Sequence, residues 1–264
     1  MQIQFSKYQG TGNDFIIIDN REMGFNPNPL LIRNLCNRNF GIGADGLMLL
    51  SNSNGFDFSM QYFNSDGNES TMCGNGGRCI TLFAKKIGLI NSDARFKGID
   101  GEHISTVVSD NVVRLKMIDI NNIEAGDDYY FLDTGSPHYV CFVDDVSKID
   151  VATEGRMIRN TYNINKGGTN VNFVQSKGNK LVIRTFERGV EGETLACGTG
   201  SVAAAIAFNH YFETPESDYC IVTRGGELKV SFKRINDLRW ENIYLEGPAH
   251  HVFDGHINIP GNLS

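Results

Sequence analysis

Two short stretches of the chain set a cysteine in the same surroundings: E-S-T-M-C-G-N-G-G at residues 69–77 and E-T-L-A-C-G-T-G-S at 193–201. Aligned without a gap they share Glu, a small hydroxyl residue, Cys73 with Cys197, and glycines at 74 and 76 with 198 and 200. A segment of helical character follows each. A cysteine at the start of a helix meets backbone N–H groups that have no intrahelical acceptor, and the positive end of the helix dipole. Both favour thiolate over thiol and bring the sulfur into the range where it acts as a base. The glycines let backbone amides come close to a ligand, and such a terminus suits a carboxylate. A single C-G-x-G reads equally well as a tight turn over a buried thiol; two copies with matched flanks point to chemistry.

Inverting an α-carbon requires a proton to leave one face and another to arrive on the opposite face. Two groups either side of the carbon, one thiolate and one thiol, can do this and exchange roles in the reverse direction. Each positioned acid or base contributes on the order of 10² to 10⁴ in rate. Amides gathered on the substrate carboxylate stabilise the carbanion-like transition state. The pattern therefore favours racemase or epimerase chemistry without a cofactor.

The elements that must position these thiols are mostly short strands. Phe58, Met60 and Tyr62 alternate with polar neighbours, continuing from Phe56, as in a half-buried strand. Further β-rich runs bounded by turn formers are 15–19, 104–108, 112–118, 139–143, 181–186, 219–223, 228–233 and 242–245. Helices are fewer. Asn28 and Pro29 make an N-cap and first-turn pair, opening a helix with Leu31, Ile32, Leu35 and Cys36 on one face. A second helix follows Cys73 and stops at Gly88, and a third, through 202–208, is apolar on every side, which predicts burial all round.

Each half thus reads as strands plus one helix that begins at a C-G-x-G turn. The expected fold is α/β with two pseudo-symmetric domains, each a rolled mixed or antiparallel sheet around a central helix. The expected division is 1–120 and 121–252, meeting near the polar stretch 119–127, with the cysteines facing each other across a cleft. A weaker echo pairs G-T-G-N-D-F at 10–15 with G-T-N-V-N-F at 168–173.

Bulk properties exclude several classes. A formal charge of −7 argues against non-specific nucleic-acid binding. No run approaches the roughly 18 apolar residues of a membrane span, and the N-terminus lacks a signal peptide's basic and apolar segments. A reducing cytoplasm is the expected location. Cys73 and Cys79 are spaced unlike a zinc-ligand pair and no second pair exists, so no metal is expected. Cys36, Cys79, Cys141 and Cys220 read as packing residues.

At this point the chain resembles the diaminopimelate epimerase family, which interconverts LL- and meso-2,6-diaminopimelate without pyridoxal phosphate. The resemblance rests on nine motifs in the family's order, from G-T-G-N-D-F at 10 through G-I-G-A-D-G at 41, F-N-S-D-G at 63, C-G-N-G-G-R-C at 73, G-S-P-H at 135, T-N-V-N-F-V at 169, E-R-G at 187 and E-T-L-A-C-G-T-G at 193 to E-G-P-A-H-H-V-F-D-G at 246. It implies that Cys73 and Cys197 are the catalytic thiols. It places Gly74, Asn75, Gly198 and Thr199 on the reacting carboxylate, and Asn13, Asn64, Asn170, Glu187 and Arg188 among substrate-binding positions. Arg188 suits the distal carboxylate because its planar fork grips two oxygens. His138 and Glu187 match residues that assist catalysis, with the substrate amino group as their target.

The resemblance further implies lysine and peptidoglycan precursor biosynthesis, no cofactor, a homodimer, and a C-terminal segment, 253–264, that returns to the first domain. Three departures stand out. Gly46 replaces a Gln found in some members, Ser136 replaces the Asn of G-N-P-H, and the segment 187–197 is one residue longer than usual. Proline racemase or hydroxyproline epimerase is the nearest rival, but Asn75 stands where those enzymes carry His and T-L-A-C-G-T-G where they carry S-P-C-G-T-G. Isomerases of the phenazine-biosynthesis type share the fold and lack the cysteine pair. Thiol redox chemistry and non-catalytic amino-acid binding are the readings from other classes.

Overall fold

The computed structural model describes residues 2–71, 73–162, 165 and 167–259. In chain order the elements are β1 (Gln2–Gly10), β2 (Asn13–Asp19), α1 (Pro29–Cys36), β3 (Gly46–Ser51), β4 (Phe58–Asn64), β5 (Glu69–Ser70), α2 (Gly74–Lys86), β6 (Asp93–Gly98), β7 (Gly101–Ser109) and β8 (Val112–Lys116). They continue with β9 (Glu124–Ala125), β10 (Tyr130–Asp133), β11 (Pro137–Phe142), α3 (Val151–Thr161), β12 (Asn170–Lys177), β13 (Lys180–Glu187), β14 (Gly192–Thr194), α4 (Gly198–Phe212), β15 (Asp218–Thr223), β16 (Gly226–Asn236), β17 (Arg239–Pro248) and β18 (His250–Asn258). Two compact units result: residues up to Leu115 together with the chain from Pro248, and Lys116–Gly247. Residues 119–127 fall in the second unit, where Ile120 bridges Trp240 and β9 pairs with β10. The last five residues of the expected terminal segment lie outside the described residues.

The strand pairings reveal the duplication in full. In the first unit β1–β2 is antiparallel, β2–β3 parallel, β3–β4 antiparallel, β4–β6 parallel, and β6–β7 and β7–β8 antiparallel. In the second, β10–β11, β11–β12, β12–β13, β13–β15, β15–β16 and β16–β17 repeat that sequence of senses. Short β5 lies on β4 as β14 lies on β13, and β18 lies on β1 as β9 lies on β10. This topology corrects the weaker echo. The turn at 10–15 corresponds to 133–138, between β10 and β11, whereas 168–173 leads into β12, the counterpart of β3.

In each unit one helix is central and one lies outside. Helix α2 packs on β1, β2, β3, β7 and β18, and α4 on β10, β11, β12, β13, β15 and β16. Helix α4 is buried from Ser201 to Ala207 on every side, as its apolar composition predicts. Helix α1 begins at the expected cap, with Asn28 Oδ1 accepting from Leu31 N at 2.9 Å, and buries Leu31, Ile32, Leu35 and Cys36 with Ile16, Ile18, Leu47 and Leu49. Helix α2 ends with Gly88 at φ +72°, the left-handed position that glycine accepts without strain.

Helix α3 was not expected. Its sequence, VATEGRMIRNT, buries only Val151 and Gly155, so it lacks a wide apolar stripe. A glycine makes its contact: a Cβ at Gly155 would lie 2.4 Å from Phe186 Cβ, so the helix backbone rests directly on β13. Strand β3 is a second element with no local signature. Its G-L-M-L-L run is buried on both faces and so shows no alternation.

A similar close approach fixes the start of α4. A Cβ at Gly200 would lie 2.4 Å from Asn172 Oδ1 on β12, whereas Gly192 has nothing within 4 Å. Gly200→Ala is therefore expected to lower unfolding free energy by about 1–3 kcal/mol through overpacking, and Gly192→Ala to stay within about 0.5 kcal/mol. Urea unfolding midpoints of the two variants check this.

Candidate active site

Both thiols sit where the sequence places them. Cys73 is the N-cap of α2, with φ −91° and ψ 129°, and Cys197 is the N-cap of α4, with φ −120° and ψ 114°. Each carbonyl accepts the first helical hydrogen bond, from Gly77 N at 2.7 Å and from Ser201 N at 2.9 Å. Neither side chain caps its own helix. The sulfurs are turned to other partners.

In the first unit those partners are amides. Cys73 Sγ lies 3.6 Å from Asn13 Oδ1, and Asn75 Nδ2 donates to the same oxygen at 3.5 Å. Asn13 is oriented by Asp45, whose Oδ2 accepts from its Nδ2 at 2.7 Å, so the carbonyl oxygen must face the sulfur. Asp45 is tied to Arg38, and Arg38 to Asp14, at 2.7 Å each, with Lys7 adding a 2.8 Å contact to Asp14. Burial opposes ionisation of Asp14, but the hydrogen bonds from Arg38 and Lys7 prevail and hold its carboxyl down to about 2. Asn13 itself opens β2 after a two-residue hairpin in which Thr11 (φ 52°) and Gly12 (φ 84°) both take left-handed backbone. A β-branched residue there is strained, and Thr11 Oγ1 answers with a 3.2 Å bond to Asn75 Oδ1. Arg78, fully buried, donates to Asn75 Oδ1 at 2.9 Å and Gly74 O at 3.2 Å, bracing the first turn of α2.

In the second unit hydroxyls take that place. Cys197 Sγ lies 3.5 Å from Thr199 Oγ1, which lies 3.3 Å from Ser136 Oγ, which lies 3.1 Å from His138 Nε2. Ser136 occupies in the β10–β11 hairpin the position that Asn13 has in β1–β2, in T-G-S against T-G-N, and so keeps a polar group beside the thiol by a different route. His138 is wholly buried. Burial and the nearby Arg188 cation push its pKa down to about 3, so the ring is neutral. Asn172 Nδ2 engages its Nδ1 at 3.0 Å, so both ring nitrogens meet protein partners. Asn170 and Asn172 share one face of β12, while Val171 and Phe173 on the other join the apolar cluster beside α3.

The remaining expected residues lie at the ends of the same strands. Asn170 Oδ1 accepts from Arg188 N at 2.8 Å, and its Nδ2 donates to Ser136 Oγ and Pro137 O, both at 3.2 Å. Glu187 Oε2 accepts from Thr194 Oγ1 at 2.9 Å. The half-buried Arg188 forms no ion pair among the described residues. Asn64 ends β4 opposite Gly46, as Glu187 ends β13 near Asn170. The Gly46 departure has a steric basis: a Cβ there would lie 2.5 Å from the Tyr62 ring and 2.7 Å from Phe63 O. The longer 187–197 segment is absorbed in a turn closed by Glu191 N to Glu187 O at 2.8 Å, with Glu191 at φ 56°.

Burial pushes the Cys36 and Cys141 thiols up to about 12 and raises those of Cys79 and Cys220. These four stay protonated at neutral pH, as packing residues would. Sequence reading gave no role to Asn172, Thr185, Asp45, Thr11 and Arg78, which touch the site residues, although all but Thr185 lie within the quoted motifs. One signal was available: Asn170 and Asn172 are two polar residues on alternate positions of an otherwise apolar run.

The fold is a two-domain α/β fold of duplicated sheets, each wrapped on a central helix that a cysteine N-caps. Among solved structures it is similar to a phenazine biosynthesis protein of the PhzF family from Bacillus anthracis (TM-score 0.78, 12% identity, covering 98% of this chain and 100% of that one). It is also similar to a probable proline racemase from Agrobacterium radiobacter K84 with bound carbonate (TM-score 0.74, 14% identity, covering 98% and 93%). At these identities the likeness concerns the fold alone. The sequence decides further. The family model described as diaminopimelate epimerase matches residues 5–119 and 130–252. A protein named diaminopimelate epimerase from Flavobacterium psychrophilum is 50% identical over 250 residues, covering 94% of this chain and 97% of the relative. One of the same name from Chlorobaculum tepidum is 44% identical over 259 residues, covering 95% and 99%. The chain belongs to the diaminopimelate epimerase family.

The His138 pKa carries a stability consequence. Its folded value lies below the unfolded value of about 6.5, so the native state binds fewer protons and stability falls as pH drops from 6.5 toward 3. Between pH 7 and 4.5 the loss from this group is expected to be about 2–3 kcal/mol. His138→Gln should lose correspondingly less over the same interval, measured by urea unfolding at the two pH values.

Proposed function

We propose that the protein epimerises 2,6-diaminopimelate between its LL and meso forms, with Cys73 and Cys197 as the proton-transferring pair. The observation that carries this reading is that both thiols, and no other cysteine, are N-caps of helices central to their own sheets, in a chain of this family. One sulfur as thiolate removes the α-proton while the other as thiol delivers a proton from the opposite side; the pair is then left reversed. The reading requires the two sulfurs to approach one stereocentre from opposing directions.

Backbone amides at Gly74, Asn75, Gly198 and Thr199 receive the reacting carboxylate, where charge builds as the proton leaves. Arg188 takes the distal carboxylate, supported by its freedom from ion pairs among the described residues. Asn13, Asn64 and Asn170 supply polar contacts, and Glu187 holds an amino group. His138, neutral and engaged at both nitrogens, assists by positioning its neighbours. The reaction needs no cofactor, since two thiols and the amides supply the acid, the base and the charge stabilisation.

We further propose a cytoplasmic homodimer active in lysine and peptidoglycan precursor synthesis. All six cysteines are free, which suits a reducing compartment. No helix among the described residues is long and apolar enough to cross a membrane. The dimer rests on the resemblance to the family.

In deuterated water, turnover of LL-diaminopimelate is expected to place deuterium on the inverted carbon of the product, because the incoming proton comes from a thiol that exchanges with solvent. Unlabelled inverted product, read by mass spectrometry, rules the scheme out. Replacing either Cys73 or Cys197 by Ala is expected to lower epimerisation at least about 10²-fold, in an assay with reductant and with proline and hydroxyproline run alongside. A near-normal rate in either variant would make that thiol structural; turnover of proline instead would move the protein to the rival activity, and stoichiometric loss of reductant to redox chemistry.

A further inference from the structure

The donors and acceptors around His138 set the direction of the hydrogen bonds that run from it through Ser136 and Thr199 to Cys197. Asn172 is the starting point. One of its amide atoms lies 3.1 Å from the carbonyl oxygen of Tyr139, which only accepts, so that atom is the NH2 group. The same NH2 meets His138 Nδ1 at 3.0 Å, while its Oδ1 accepts from Thr185 Oγ1 at 2.9 Å. Nδ1 of the neutral ring is therefore the acceptor, and the ring proton is on Nε2.

Nε2–H then donates to Ser136 Oγ at 3.1 Å. Asn170 is oriented just as firmly, by Arg188 N on its Oδ1 and Pro137 O on its Nδ2, and that NH2 donates to the same Ser136 oxygen at 3.2 Å. A hydroxyl has two acceptor sites and one proton. With both sites occupied, the Ser136 proton goes to Thr199 Oγ1 at 3.3 Å, and the Thr199 proton goes to Cys197 Sγ at 3.5 Å. In the first unit the polarity is opposite, because Asn13 presents a carbonyl oxygen to Cys73.

We propose that Ser136 is a positioning residue, which with Thr199 forms a one-way hydroxyl relay from His138 that delivers a hydrogen-bond donor to Cys197 and favours its thiolate in the free enzyme. The proposal rests on the two-thiol reading only for its catalytic meaning; the relay is a property of the resting protein. A donor to a charged sulfur stabilises the charge, as for any hydrogen bond to an ionised group. The charged side chains on the elements next to Cys197 include Glu193, Glu187 and Arg188. Glu193 is paired with Arg184 and Arg224, Glu187 accepts from Thr194, and Arg188 acts on His138. On the Cys73 side Arg78 is bonded to Asn75, Gly74, Thr11 and Pro248, and none of these belongs to the relay.

The test is the pH dependence of iodoacetamide alkylation of each cysteine in the full chain without substrate, resolved by peptide mass spectrometry. It needs no turnover of any amino acid, so its failure and failure of the epimerase reading are distinguishable. In Ser136→Ala and in Thr199→Val, with far-UV circular dichroism unchanged, Cys197 alkylation at pH 6.5 is expected to fall about tenfold and its titration to rise by about one pH unit. Cys73 in the same molecules should stay within about twofold, and Thr199→Ser should restore the Cys197 profile. A Cys197 titration that does not move in either folded variant overturns the relay. So does an equal shift at Cys73, or a Thr199→Ser variant that behaves like Thr199→Val.

Discussion

Everything in the two units is arranged around a helix whose first turn must be buried and yet leave a thiol usable. A helix start carries donors that need acceptors, so burying one at the centre of a sheet is costly unless side chains or a ligand meet them. Here polar side chains converge on the turn: Thr11 and Asn13 of the neighbouring hairpin and Arg78 of the helix itself at α2, and Thr134, Ser136 and Asn172 at α4. Unlike Asn28 on α1 and Asp150 on α3, neither cysteine caps its helix with its side chain.

Duplication supplies two such clusters without making them identical. The order and sense of the strands repeat pair by pair, and so does the place of each helix between strands. The residues at matched positions have diverged from amide to hydroxyl beside the thiol. Where Phe15 follows the first T-G-N turn, His138 follows the T-G-S turn, and the second cluster gains a buried imidazole held neutral by its surroundings. A reversible inversion places different demands on its two sides because the two substrate stereoisomers are not mirror images. Divergence within a symmetric frame is a simple way to meet them.

Much of the site was legible because its chemistry depends on residue type at fixed short spacing. The C-G-x-G pairs, the all-apolar α4 and the Asn28-Pro29 cap are local signals with local physical causes. Positions such as Gly46 and Ser136 were visible as departures, but their meaning was not. Gly46 is explained by the Tyr62 ring, and Ser136 by Thr199 and His138, all neighbours in space. Helix α3 and strand β3 were hard to see for related reasons: one buries only Val151 and Gly155, and the other is buried on both faces and so does not alternate.

The amino-acid sequence alone determined the two thiols, the helices that begin at them and the strand-rich halves, since each follows from residue type and spacing along the chain, and its motifs carried the resemblance to the family. Only tertiary structure decided which turn answers to which between the halves, and it replaced the apparent echo at 168–173 with the hairpin at 133–138. Only it decided the direction of the hydrogen bonds reaching Cys197, because donor and acceptor roles are settled by atoms on β11, β12 and β13 that meet through folding. Sequence carries chemical identity; orientation and charge belong to the neighbourhood that packing creates.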